Sequence, residues 1–129
     1  MYIVGDIGGG RIGNLSKDEA LAWVLGKDGR TTKTVKSNMG TVVERVMGMS
    51  GDTTTGGGNT RYTFDGTPIY HESKGAKFNE GATIFFVKRP GEVAKVVATG
   101  YHIGAQTYEL TWKHHDWSAL RNVNRISLD

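Results

Sequence analysis

Cysteine is absent from this chain of 129 residues, and proline occurs only twice. Without cysteine the chain forms no disulfide, offers no thiolate to a metal and supplies no thiol nucleophile. Zinc deaminase chemistry that relies on a Cys-x-x-Cys ligand pair is excluded with them. No run of about 18 apolar residues occurs, so we expect no transmembrane helix and no membrane partner. Residues 1–6 lack the basic and apolar regions of a secretory signal. We therefore expect a cytoplasmic site of action, with delivery from another cell as an open alternative.

The length and composition are those of one ordinary domain. Hydrophobic residues make up 37% of the chain and charged residues 22%, which suits a single apolar core. Glycine is frequent in residues 1–15 and again in the polar stretch 50–60. We predict a single domain over 1–129, with a glycine-rich lead-in over 1–15. The stretch 50–60 is then a flexible loop between a helical part and a sheet part.

Positive charge is concentrated in the second half of the chain. The formal net charge is +3, and residues 73–129 carry this excess together with three of the four histidines. Such a distribution is typical of proteins that bind a polyanion. Solubility charge on a sheet surface is the alternative explanation, and the sequence does not separate the two.

Two helices are predicted in the first half. Ser16-Lys17-Asp18-Glu19 has the spacing of a capping box, and apolar residues at helical spacing follow it. A first helix should therefore span about 17–25 and end at Gly26. The box repeats as Thr41-Val42-Val43-Glu44, which predicts a second helix over about 41–49 with an earlier start left open.

The apolar pattern of the second half alternates with period two, which is typical of strands. Asp65-Gly66 predicts a hairpin turn, and Pro68 predicts that the return strand lies at an edge. The tail predicts a helical turn after Asp116 and then a strand. Because helices precede strands, the fold class is α+β, with short N-terminal helices packed on a four- to five-stranded antiparallel sheet. The remaining predicted strands are 83–88, 93–103 and 106–113, with turns at 89–92 and 104–105.

His102 is the polar residue most suggestive of chemistry. If Gly104 and Ala105 are a two-residue turn, His102 faces Thr107 on the next strand, and Tyr108 follows. Opposed side chains lie about 5 Å apart at Cβ, so an imidazole and a hydroxyl would share one face. An imidazole with an ordinary pKa near 6.5 serves as acid or base around neutrality. A solvated or ring-stacked histidine without a chemical role is the competing interpretation.

Other residues of the second half could complete a phosphodiester site. Metal-independent RNA cleavage needs a base for the 2′-hydroxyl, an acid for the leaving oxygen and cations for the phosphorane. His71 is the candidate for the second acid or base, with Glu72 or Glu80 as substitutes. The candidate substrate-binding residues are Lys74, Lys77, Lys88, Arg89 and Tyr108.

A metal or cofactor is not expected. His114-His115 are adjacent, and neighbouring positions of a strand point to opposite faces, so the two rings do not readily chelate one ion. No HExxH motif or second histidine cluster is present. Trp112 and Trp117 could stack a nucleobase, but packing in the core is the simpler role for them.

The stretch 82–112, ATIFFVKRPGEVAKVVATGYHIGAQTYELTW, resembles the sheet region of the barnase/EndoU/colicin-type group of bacterial toxin ribonucleases. The matched features are the strand–turn–strand pattern, His102 and the following Thr107-Tyr108. The rest of the chain resembles the group in architecture, with helices before an antiparallel sheet. The resemblance implies a basic, metal-independent toxin ribonuclease. Such an activity implies RNA as substrate and a cognate inhibitor or immunity protein as partner.

Three functions follow from these patterns. The first is a small metal-independent endoribonuclease that uses His102 and His71, with Thr107 orienting or binding the phosphate. The second is a non-catalytic phage or bacterial module that caps a protein or a nucleotide. The third is nucleic-acid binding through the basic second half without cleavage.

Overall fold

The computed structural model describes residues 3–4, 15–48, 59–64, 66–89, 94–114, 117 and 122–127. Nearly all of the predicted lead-in 1–15, most of the loop 50–60, most of the turn 89–92 and the predicted helical turn after Asp116 lie outside these residues. The described elements are β1 (Ile3–Val4), α1 (Lys17–Asp28), α2 (Lys33–Met47), β2 (Asn59–Phe64), β3 (Thr67–Lys74), β4 (Ala82–Val87), β5 (Ala94–His102), β6 (Thr107–Lys113) and β7 (Arg125–Ser127).

The α+β prediction is confirmed. Both helices pack on a curled sheet whose strands follow the order β2-β3-β4-β5-β6-β7, and each neighbouring pair along this path is antiparallel. The sheet has more strands than predicted. The tail supplies β7, which the sequence indicated, and β1 pairs in parallel with β5, which it did not.

The capping box of α1 is present, but the predicted end of the helix is too early. Glu19 N donates to Ser16 Oγ at 3.2 Å, and Ser16 N donates to a Glu19 carboxylate oxygen at 3.0 Å. Gly26 lies inside the helix, and α1 runs on to Asp28. The terminating glycine is Gly29, whose φ of 82° lies in the left-handed region that glycine tolerates.

The second predicted capping box is wrong. Thr41 lies in the middle of α2, and the N-cap is Thr32, whose hydroxyl accepts from Val35 N at 3.3 Å. The early start of α2 follows from one continuous helical stripe. Its buried members are Val35, Met39, Val42, Val43 and Val46.

The sheet separates two apolar clusters because β4 is buried on both faces. Ile84 and Phe86 face the helices, whereas Phe85 and Val87 face the other side, here called the helix-distal face. The helix-distal cluster also contains Tyr108 and the residues Phe64, Ile69, Val97, Ala98, Trp117 and Ile126. A sheet with two apolar faces accounts for the continuous apolar run in β4.

The first hairpin is confirmed and the last one is corrected. Phe64 pairs with Thr67, and Gly66 has a φ of 76°, as a tight hairpin turn requires. His102 pairs with Tyr108 and not with Thr107, so residues 103–106 form a longer connection than the predicted two-residue turn.

Pro68 does not lie in an edge strand, since β3 runs between β2 and β4. The pairing of β3 with β4 begins only at Tyr70, so Pro68 precedes that ladder and its missing N–H costs no hydrogen bond there. Among the described residues, no helix is long and apolar enough to cross a membrane.

Candidate functional site

Two histidines and one tyrosine meet on the helix-distal face. His71 stands opposite Phe85 on neighbouring strands, and His102 stands opposite Tyr108. The Phe85 and Tyr108 rings meet edge to face, with centroids 5.6 Å apart, so the two strand pairs are joined through their side chains. His71, His102 and Tyr108 are called the His–Tyr cluster below.

Tyr108 is the centre of the His–Tyr cluster. Its hydroxyl oxygen lies 2.8 Å from His71 Nε2, and its ring centroid lies 4.1 Å from that of His102. The His71 ring also stacks on Phe85, with centroids 6.1 Å apart. Tyr108 is buried, whereas both imidazoles are only half-buried. Each imidazole therefore combines a fixed position with access to solvent.

Burial controls the protonation of the tyrosine. Desolvation raises the pKa of the Tyr108 phenol above its ordinary value of 10.0, and a hydrogen bond with the Ser73 side chain acts in the opposite direction. The phenol is therefore neutral near pH 7 and carries a proton. When it donates that proton to His71 Nε2, a neutral His71 ring must carry its own proton on Nδ1.

A loop with positive charge is hydrogen-bonded to the end of the sheet at which β5 ends with His102. Lys77 N donates to the backbone carbonyl of His102 at 2.8 Å, which joins the loop after β3 to the end of β5. Lys74 ends β3, and both lysines are exposed. His102 Nδ1 lies 3.2 Å from the Gly104 carbonyl. Two of the candidate substrate-binding residues, Lys74 and Lys77, thus lie at the end of the sheet that carries His102.

The other two predicted cations are elsewhere. Lys88 and Arg89 follow the end of β4 that lies away from Ala82, so the length of that strand separates them from His102. Lys88 is buried, with 3% of its surface exposed, and Arg89 Nε donates to Thr67 Oγ1 at 2.8 Å. β4 therefore carries this pair to the opposite end of the sheet from His102.

Thr107 and Glu72 do not face the histidines either. Thr107 adjoins Tyr108 on β6, and adjacent strand residues point to opposite faces. Its contribution is a backbone carbonyl that accepts from Ile103 N at 2.9 Å and Gly104 N at 3.3 Å. Glu72 adjoins His71 in the same way, so it lies on the helix side. Glu80 is an exposed loop residue whose carbonyl accepts from the Asn38 amide.

The aromatic residues of the tail have packing roles. His114 is 1% exposed, and its ring meets that of Phe64 at 5.6 Å. Trp112 meets Trp23 edge to face at 5.6 Å, and Trp117 is buried. His115 lies outside the described residues. Within the part of the chain that the structure describes, His, Asp and Glu form no group of three that could hold a metal ion.

The residue that sequence reasoning missed is Arg30. It is 6% exposed, and its guanidinium pairs with Asp28 through Nε–Oδ2 and Nη2–Oδ1 contacts, both 2.9 Å. Nη1 donates to the carbonyls of Phe78 at 3.0 Å and Gly81 at 2.7 Å, and Nη2 donates to Gly100 O at 3.2 Å. All five donors of the guanidinium are used. A single arginine after a helix gives no sequence signal for such a role.

Arg30 therefore joins three parts of the molecule. Asp28, its ion-pair partner at the end of α1, also accepts from Thr111 Oγ1 on β6 at 2.7 Å. The carbonyls that Arg30 binds belong to the loop after β3 and to β5, two residues before His102. The loop that carries Lys77 is consequently held by the hydrogen bonds from Arg30 as well as by its own hydrogen bond to His102.

Comparison with known proteins gives no match: no family model, no curated protein and no solved structure is similar to this chain. The ribonuclease resemblance noted for residues 82–112 therefore stays a prediction, and the site has to be interpreted from its own geometry.

Proposed function

We propose that this protein is a small metal-independent endoribonuclease whose acid–base pair is His71 and His102. One observation carries the proposal: two half-buried imidazoles converge on the same buried phenol, on one face of the sheet. A pair of imidazoles supplies both a base and an acid, which is the requirement for cleavage through the 2′-hydroxyl.

The proposed reaction needs no external reactant. One imidazole, neutral, takes the proton of the 2′-hydroxyl, and the 2′-oxygen bonds to phosphorus. The other imidazole, protonated, gives its proton to the 5′-oxygen as the P–O bond breaks. The products are a 2′,3′-cyclic phosphate and a 5′-hydroxyl, and the two histidines exchange protonation states in the process. Tyr108 holds the His71 ring in position through its hydroxyl.

Positive side chains support RNA as the ligand. Lys74 and Lys77 are exposed at the end of the sheet that carries His102. Cations near the scissile phosphate stabilise the charge that develops in the transition state, and they attract a polyanion from solution. A ribonuclease acting in the cytoplasm would also need a cognate inhibitor protein in the cell that makes it.

The test is incubation of the pure protein with total RNA in EDTA, followed by analysis of the new 3′ ends. We expect fragments that end in cyclic phosphate, and we expect His102→Ala and His71→Ala each to lower the rate at least about a hundredfold. Lys36→Ala on α2 is the matched control, because Lys36 is exposed on an element of the other face. Intact RNA, or cleavage that neither histidine variant slows, would overturn the proposal.

A second candidate is RNA binding without cleavage, and a specific observation favours it. A large apolar side chain at the end of the sheet that carries His102 is exposed: Phe78, at 54%. Exposed apolar groups beside positive charge are typical of binding surfaces. Binding that weakens steeply with salt while the RNA stays intact would select this function over the nuclease.

A further inference from the structure

Phe78 is the most exposed large apolar side chain among the described residues, with 54% of its surface accessible. A phenylalanine left in water forgoes about 2 kcal/mol of burial free energy. A ring that stays exposed in a rigid position is therefore a feature that calls for a physical explanation.

The ring is held in place from two sides. Arg30 Nη1 donates to the Phe78 carbonyl at 3.0 Å, and the guanidinium carbon lies 5.9 Å from the ring centroid. Tyr101 meets the same ring edge to face, with centroids 5.6 Å apart. Arg30 is itself fixed by its ion pair with Asp28. The Phe78 ring is thus held by a buried network of contacts. A ligand that binds to its exposed surface therefore causes little further loss of side-chain entropy.

The ring lies at the end of the sheet that carries His102, but on the helix side, because its contact Tyr101 adjoins His102 on β5 and adjacent strand residues point to opposite faces. An RNA strand bound at the His–Tyr cluster reaches the ring by passing over this end of the sheet. Lys77, the residue before Phe78, donates its backbone N–H to the carbonyl of His102, and its own side chain is exposed. An aromatic surface and a cation therefore follow one another in a loop that is hydrogen-bonded to the end of β5. This is the combination with which proteins bind single-stranded nucleic acid, in which a base stacks on the ring and a cation contacts the backbone.

We propose that Phe78 is a stacking platform for an unpaired nucleobase of the RNA that the His–Tyr cluster acts on. The inference rests on the proposed function and adds the form of the substrate to it. Every base presents a π-face, so the platform selects for an unpaired strand rather than for a sequence. Bases inside an RNA helix are stacked on each other and are not available to it.

The experiment measures binding separately from cleavage. A fluorescent single-stranded RNA with 2′-O-methyl groups throughout has no free 2′-hydroxyl and stays intact, so its binding is followed by fluorescence anisotropy in EDTA. The proteins compared are the wild type, Phe78→Ala, Phe78→Trp and Ile103→Ala. Ile103→Ala is the matched control, since it removes a similarly exposed apolar side chain that has no π-face. Circular dichroism checks that every variant is folded.

We expect Phe78→Ala to weaken binding roughly tenfold, which is the loss of one stacked base, whereas Phe78→Trp and Ile103→Ala should bind within about twofold of the wild type. The Phe78→Ala effect should also disappear on an oligonucleotide with abasic sites. Equal binding by the wild type and Phe78→Ala would overturn the platform, as would an equal loss in Ile103→Ala, which would indicate a general apolar surface. Cleavage of unmodified RNA, assayed in parallel, reports on the nuclease proposal independently.

Discussion

The Tyr108 hydroxyl lies 2.8 Å from His71 Nε2, and this hydrogen bond joins β6 to β3 across the two strands between them. Tyr108→Phe removes the hydroxyl and keeps the ring contacts with Phe85 and His102. We expect the free energy of unfolding to fall by about 1–2 kcal/mol, because the hydroxyl loses its hydrogen bonds with both His71 and Ser73. Urea denaturation measures it. Tyr101→Phe is the control, and it should have a smaller effect; a larger one would contradict the prediction.

Because the pKa of Tyr108 is raised, the free energy of unfolding should decrease with pH in the alkaline range. The folded protein keeps the phenol protonated at pH values where the unfolded chain has lost that proton, so it binds more protons than the unfolded chain. The resulting stabilisation is complete below the ordinary phenol pKa of 10.0 and is lost as the pH rises from there through the folded-state value. Denaturation curves at increasing pH should show this loss in the wild type.

Tyr108→Phe should reduce that alkaline loss, because the titrating group is gone. The other tyrosines and the lysines titrate in the same range, so the informative quantity is the difference between the two proteins at each pH. A constant difference across the range would show that Tyr108 titrates alike in the folded and unfolded chains.

The fold could be predicted from the sequence because its signals are local. Ser16 and Glu19 lie three residues apart, and Asp65-Gly66 specifies its own turn. The site is harder because its partners are distant along the chain. The sequence indicates His102 as a candidate, but its partner depends on the length of the 103–106 connection. A change in that register exchanges Thr107 for Tyr108.

Arg30 shows the same limit more sharply. Besides the Asp28 carboxylate, its acceptors are the carbonyls of Phe78, Gly81 and Gly100. Every residue has a backbone carbonyl, so these contacts cannot be recognised in the sequence. Lys88 shows the converse. Its place at the end of the apolar stretch 83–88 makes it a candidate substrate-binding residue, but the folded chain buries it.

Removing Arg30 should destabilise the protein more than removing any exposed ion-pair partner. Arg30→Met leaves the Asp28 carboxylate buried without its guanidinium, and breaking a buried pair in this way costs roughly 3–5 kcal/mol. The control is Lys17→Ala, since the Lys17–Glu44 pair is exposed and such pairs contribute less than about 1 kcal/mol. Urea denaturation compares them.

Asp28→Leu combined with Arg30→Met should recover part of the lost stability, because no charge is then left buried alone. The prediction fails if Arg30→Met is no more destabilising than Lys17→Ala. It also fails if the double variant is no more stable than Arg30→Met.

Two glycines should respond to alanine in opposite directions. A Cβ at Gly100 would collide with the backbone carbonyl of Glu109 on the neighbouring strand, so we expect Gly100→Ala to lower stability by more than about 2 kcal/mol. Gly26 lies inside α1 with nothing near its Cβ position, so Gly26→Ala should raise stability by about 0.5–1 kcal/mol. Thermal denaturation of both variants and the wild type tests this: the melting temperature should fall for Gly100→Ala and rise for Gly26→Ala.

The parallel pairing of Ile3 and Val4 with Ala94 and Lys95 bears on how the chain reaches its folded state. On the ribosome β1 is made first, but its partner strand is made only after both helices and three further strands. A nascent chain that has not yet reached β5 therefore keeps β1 without its sheet neighbour, and late closure of so distant a contact slows folding. Refolding from denaturant should accordingly be much slower than the formation of the two helices.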